Sequence, residues 1–205
     1  MKLKQLESCL GDVTQFSSPK VELEQYPTGP HIASRMLFMA ENSFGDITGR
    51  LVADLGCGCG TLGIAASLLD AGYVVGVDVD GDALALAREN CEEFEVEMDF
   101  VQASLSELPL QGLHVDTVIM NPPFGTRRKG ADMEFLAAAL KVAGTAVYSL
   151  HKSSTRTHIQ RAAVRDFGAK TADVLCELRY DLPASYKFHK QKEKDIAVDL
   201  WRFTK

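Results

Sequence analysis

The chain has 205 residues, 46% of them hydrophobic and 24% charged, a size and balance that suit one compact domain with a substantial core. No run approaches the length of apolar sequence that a membrane helix needs, and the basic start at Lys2 and Lys4 leads into Glu7 instead of an apolar core, so neither a span nor a secretory signal is expected. The net charge of −6 conceals a polarity: residues 1–119 hold 6 Lys/Arg against 19 Asp/Glu, whereas residues 120–205 hold 16 against 9.

Five cysteines (Cys9, Cys57, Cys59, Cys91 and Cys176) form an odd set without a C-x-x-C pair, which argues for reduced thiols in an intracellular compartment. The histidines show no metal-binding spacing, and Cys57 and Cys59 lie in a glycine loop without a second pair, so no metal is expected.

Leu3, Leu6, Leu10 and Val13 recur at helical spacing and open a helical lead-in over about residues 1–45. Val21 to Pro30 reads as an extended segment, with Thr28 placed to cap a helix that runs to about Asn42. Gln25 and Tyr26 have no packing role in such a segment, which leaves ligand contact and plain surface equally open.

Leu51–Leu55 is a short strand, Gly56-Cys57-Gly58-Cys59-Gly60 a glycine loop and Thr61–Ala71 a helix. Tyr73–Asp78 is the next strand, ending in an acid 18 residues beyond Gly60. Strand, glycine loop, helix, strand and terminal acid in series open a Rossmann-like unit, and the acid suits ribose hydroxyls. Asp54 argues against a dinucleotide, because a pyrophosphate on this turn would face its negative charge. A donor with cationic ammonium and sulfonium groups, S-adenosyl-L-methionine, would be attracted instead.

A helix over Asp82–Phe94 and a strand over Glu97–Gln102 follow, and the turn Ala103-Ser104-Leu105 is placed to close over an adenine. The apolar run Val115–Met120 ends abruptly in Asn121-Pro122-Pro123-Phe124, since neither proline can extend a sheet ladder. The Asn121 amide oxygen and the Pro122 carbonyl are two acceptors beside a flat ring, a set that suits a planar group bearing an NH2. Gly125 to Asp132 is a basic loop facing either solvent or phosphates. A helix over Asp132–Ala143, a strand over Thr145–Leu150 and a helix capped by Ser153 or Ser154 come next. Thr171–Tyr180 and Asp195–Phe203 then lack a crossover helix and should pair antiparallel, flanking a basic loop with Lys187, His189, Lys190 and Lys192. The expected fold is α/β and Rossmann-like: a single domain over residues 1–205 with a seven-stranded, mostly parallel sheet and an antiparallel C-terminal hairpin.

Asp54 to Gly60, Asp78 and Asn121-Pro122-Pro123-Phe124, in that order and spacing, resemble the class I S-adenosylmethionine-dependent methyltransferases that modify planar amines. The resemblance is closer still to the eukaryotic branch acting on adenosine N6 of small-subunit (18S) ribosomal RNA. Glu24 to Thr28, Tyr148 to Lys152 and Tyr180 to His189 support it. The resemblance implies a cofactor pocket lined by Gln25, Thr28, Gly56, Cys59, Thr61, Asp78, Ser104 and Leu105, although the family more usually has an acid where Ser104 stands. It implies catalysis by Asn121, Pro122, Pro123 and Phe124 on ribosomal RNA, in the nucleus and cytoplasm. It also implies a small zinc-containing methyltransferase activator subunit added to the edge strand near Met98–Val101. A protein glutamine methyltransferase, whose carboxamide presents the same two hydrogens, stays open. A non-catalytic RNA-binding module would not need the intact glycine loop and Asn121, and an NAD-dependent oxidoreductase is disfavoured by Asp54 and by the lack of G-x-G-x-x-G.

Overall fold

The computed structural model describes residues 1–108, 114–183 and 193–205. Helix α1 (Leu3–Leu10) and helix α2 (Pro30–Phe44) precede the alternating units. These units are β1 (Leu51–Leu55), α3 (Thr61–Leu68), β2 (Tyr73–Asp78), α4 (Gly81–Glu93), β3 (Asp99–Gln102) and β4 (Val115–Met120). There follow α5 (Ala131–Val142), β5 (Ala143–Lys152), α6 (Arg156–Arg165), β6 (Thr171–Pro183) and β7 (Glu193–Thr204). The strands form one seven-stranded sheet in the order β3-β2-β1-β4-β5-β7-β6. Only β7 runs against its neighbours, pairing antiparallel with β5 and with β6.

Alternation along the central strands sorts the core into two layers. Tyr148, Leu150 and Leu200 pack with Leu6, Leu10, Met36, Leu37 and Ile64 on one face. Val147, Trp201 and Phe203 pack with Leu136, Leu140 and Ile159 on the other. Successive residues of a strand point to opposite faces, so a strand apolar throughout must be covered on both. α1 and α2 supply one cover, α5 and α6 the other.

β1 pairs with β2 on one side and β4 on the other, so the winding of the chain reverses at β1. All three run parallel, and their carboxyl ends deliver the glycine loop, Asp78 and Asn121 to one edge of the sheet. Open α/β sheets hold ligands at that kind of crevice.

Several boundaries differ from the sequence reading. α3 stops at Leu68 rather than Ala71, β3 begins at Asp99 and excludes Met98, and Val21–Leu23 makes one 3-10 turn inside the extended lead-in. Gly29, not Thr28, stands at the N-cap of α2; the Thr28 hydroxyl instead accepts from the Asn121 amide at 2.9 Å. Ser153 does not cap α6 either, because its hydroxyl donates to Asp199 at 2.7 Å. β5 and β6 run longer than their apolar cores because β7 pairs with both along most of its length. The basic loop expected at Lys187, His189, Lys190 and Lys192 lies outside the described residues.

Candidate active site

The glycine loop takes its shape from backbone that side chains resist. Gly56, Gly58 and Gly60 have φ of 70°, 53° and 85°, the left-handed region. A Cβ at Gly56 would also lie 2.9 Å from the Phe135 ring. The resulting turn donates from the Gly56 and Cys57 amides to the Val77 carbonyl, at 2.8 and 3.1 Å. The Gly58 amide donates to the Asp78 carboxylate at 2.9 Å, and the Asp80 amide reaches its other oxygen at the same distance. Asp78 is thereby tied to the loop it faces. Burial nevertheless raises its pKa, against the effect of those amides.

Asp54 sits beneath the loop, 1% exposed. One carboxylate oxygen accepts from the Gly63 amide at 2.9 Å; the other is buried and has no partner. Burial, opposed by the Gly63 amide and reinforced by nearby Asp78, pushes this carboxyl up to about 7. An acid this short of donors is a place for a cation.

The lead-in between α1 and α2 is laid across these strand ends by polar contacts. Asn90 donates to the carbonyls of Thr14 and Cys59, and Gln15 bonds Cys59 and Thr61. Lys20 pairs with Asp80 at 2.6 Å and Asp82 at 2.8 Å. The Gln25 amide donates to Asp80 at 2.7 Å, so its nitrogen is held by the protein itself. Glu24, buried and left-handed at φ 51°, accepts from the Arg127 amide at 2.7 Å and ties the lead-in to the loop after the Asn-Pro-Pro-Phe motif.

Gln25, Gly56, Asp78, Ser104, Leu105 and Asn121 border one cavity of about 440 Å³. Thr28, Asp54, Cys59 and Thr61 border a smaller one of about 40 Å³, and Gly56 and Asn121 belong to the walls of both. The glycine turn and the Asn121 amide therefore share one cleft, and each residue named from sequence for the cofactor borders one or the other cavity.

The four motif residues are placed differently from one another. The Asn121 side-chain nitrogen donates to Thr28 Oγ1 at 2.9 Å and to the Tyr180 hydroxyl at 3.0 Å. Its oxygen is buried without a partner. Pro123 borders the larger cavity, whereas Pro122 and Phe124 border neither. Phe124 is 8% exposed and packs edge-on against Tyr180, with ring centroids 5.6 Å apart at 88°. Part of the positive charge after residue 120 is already matched: Arg128 pairs with Glu134 at 2.7 Å, Arg156 with Asp199 and Glu177, and Arg165 with Asp166.

Sequence reasoning passed over Tyr180, Glu24 and Phe16 as site residues. Tyr180 comes from β6, 59 residues from Asn121, on the part of the β6–β7 hairpin that runs past the last β5 pairing at Lys152 and Val198. Glu24 carried a weak signal in standing beside Gln25. Among the described residues no three His, Cys, Asp or Glu side chains gather where they could hold a metal ion. No helix among them is long and apolar enough to cross a membrane.

Comparison with known proteins agrees with this geometry. The model of the methyltransferase small domain matches residues 31–149. The chain is 58% identical to the rRNA N(6)-adenosine-methyltransferase METTL5 of Danio rerio, covering 100% of this chain and 99% of that protein. It is 52% identical to the Drosophila melanogaster protein of the corresponding name, over 99% of this chain and 96% of that one. Among solved structures, the Pyrococcus horikoshii protein PH1948 superposes with a TM-score of 0.85 at 38% identity, covering 100% of this chain and 97% of that chain.

Proposed function

The chain belongs to the methyltransferase small domain family, and on that premise we propose that it methylates N6 of a specific adenosine in small-subunit (18S) ribosomal RNA. It is an S-adenosylmethionine-dependent rRNA adenine-N6 methyltransferase, like the relatives that share its full length. The observation that carries the reading is the unpaired, buried Asn121 oxygen in the wall of a cleft that the glycine loop also borders.

The residues present fit the cofactor. Asp54 keeps a buried oxygen without a donor, suited to a cationic group, and the loop glycines keep the backbone open to close approach. Asp78 stands where ribose hydroxyls are held in such folds, and Ser104 and Leu105 border the same cavity for the adenine. S-adenosylmethionine supplies the methyl group as an electrophile. Everything else falls to the chain.

The N6 lone pair of adenine is delocalised into the ring and becomes nucleophilic only as the nitrogen pyramidalises. Asn121, which borders both cavities, accepts an amine hydrogen on Oδ1 and turns the lone pair toward the methyl carbon. That bond strengthens as positive charge develops on nitrogen, so it stabilises the transition state more than the ground state. Alignment of the reacting atoms supplies much of the remaining acceleration. No strong general base is required, because an N-methylated ammonium is acidic and sheds its proton afterwards. The base must leave its stack to enter, which favours a looped or single-stranded target.

Among the described residues β3 is the terminal strand of the sheet on the side away from β1, and that outer edge suits strand addition by a small zinc-containing activator subunit. The expected sites of action are the nucleus and cytoplasm. The decisive experiment is methylation of total RNA with and without that activator, followed by nucleoside mass analysis. Labelled N6-methyladenosine confined to 18S rRNA supports the reading; RNA left without label, beside label on glutamine of a protein substrate assayed in parallel, overturns it.

A further inference from the structure

Asn121 can act as an acceptor only if its amide is held one way round, and an amide is nearly symmetric in shape. What holds it is visible in the hydrogen-bond directions. Tyr180 has a single hydroxyl proton, and it is donated to the Pro27 carbonyl at 2.9 Å, a group that can only accept. The Tyr180 oxygen is therefore left as an acceptor, and it receives one Asn121 N–H at 3.0 Å. Thr28 Oγ1 receives an N–H from the same nitrogen at 2.9 Å. Turning the amide over would set the Asn121 oxygen against the Tyr180 oxygen, lone pair to lone pair. Tyr180 itself is 2% exposed and braced edge-on by Phe124, so it cannot swing aside. Burial pushes its hydroxyl up to about 12, which keeps the proton on it at neutral pH.

We propose that Tyr180 is a positioning residue that makes Asn121 an obligate acceptor, so that the cleft selects a nucleobase amino group against a keto group at the same position. This rests on the reading that Asn121 engages the target amine. Adenine presents hydrogens at position 6; hypoxanthine, the base of inosine, presents an oxygen of similar size. Against a locked acceptor the oxygen meets repulsion and leaves a buried polar pair unmet, whereas an amide free to turn would accommodate either. Selection then comes from Tyr180, a residue outside the motif and outside the stretch 31–149 that defines the family.

The test uses the full chain and 18S rRNA fragments carrying adenosine or inosine at the modified position, the latter as competitive inhibitor. For the wild type, binding should favour adenosine by about tenfold or more. In Tyr180→Phe, which keeps the ring and its packing, that preference should shrink to within about threefold and kcat should fall about tenfold, one lost hydrogen bond's worth of order. Cofactor affinity by calorimetry and KM for adenosine RNA should stay near wild type. If Tyr180→Phe does not fold, the wild type is given the same RNA with a purine unsubstituted at position 6: a locked acceptor binds inosine more weakly than that RNA, and inosine bound at least as tightly overturns the proposal. Full discrimination with wild-type kcat in the folded variant overturns the proposal, as does equal binding of both RNAs by the wild type. Asn121→Ala separates the two levels: if it still methylates, the reading of Asn121 itself fails, and if it is dead while Tyr180→Phe is normal, only the role of Tyr180 fails.

Discussion

Asp54→Asn should remove a pH dependence of cofactor affinity that the wild-type protein carries. Asp54 is fully enclosed, has one oxygen without a donor, and is pushed up to about 7, chiefly by burial. A cationic ligand beside it favours the ionised carboxylate, so the protonated fraction must release its proton before the cation binds well. The direction follows: affinity rises with pH and levels off above 7. With a pKa near 7, ionisation grows about eightfold between pH 6 and pH 7.5, a range in which an α-ammonium stays largely protonated, so Kd should fall by about that factor. The folding linkage runs the other way. A carboxyl whose pKa is raised on folding binds its proton more tightly in the folded chain, so its contribution to stability is greatest below the unfolded pKa. That contribution is lost as pH rises toward 7 and is level beyond it. Isothermal calorimetry at several pH values measures the first effect and thermal unfolding without cofactor the second. Asparagine keeps an acceptor for the Gly63 amide but cannot ionise, so both slopes should flatten. Equal pH profiles for variant and wild type would refute the placement of a cation at Asp54.

Three further outcomes follow from the same geometry. Asn121→Ala should leave cofactor Kd within about twofold while turnover drops by about a hundredfold or more, the size seen when a transition-state hydrogen bond is removed; weakened cofactor binding with preserved turnover would contradict it. Asp78→Ala removes an acceptor of the Gly58 and Asp80 amides as well as the proposed ribose contact, so calorimetry should show cofactor affinity down by about tenfold or more. Gly56→Ala must place a side chain at φ 70° and within 2.9 Å of Phe135, and denaturant unfolding should report a loss of about 1–3 kcal/mol.

The strand, glycine loop and terminal acid were legible in the sequence because each rests on local rules. Short apolar runs make buried strands, glycines allow left-handed backbone, and prolines end ladders. The placement of Thr28 shows where such rules stop. Its type and position before Pro30 argue for a helix cap, yet its hydroxyl serves Asn121, 93 residues away, because the lead-in is bent over the strand ends. The positive charge after residue 120 was equally visible, but its pairing was not: Asp199 and Glu177, the acids opposite Arg156, come from β7 and β6.

By itself the sequence determined the order of elements, the chemistry of the glycine loop and the residue types at the cleft, since periodicity and backbone restriction act over a few neighbours. Only the tertiary structure decided that the β6–β7 hairpin runs on past the end of β5, where the Tyr180 hydroxyl accepts from the Asn121 amide nitrogen and leaves the amide oxygen off that bond. The reason is that a hydrogen-bond direction depends on where the single proton of a distant phenol goes, and no local pattern along the chain encodes that.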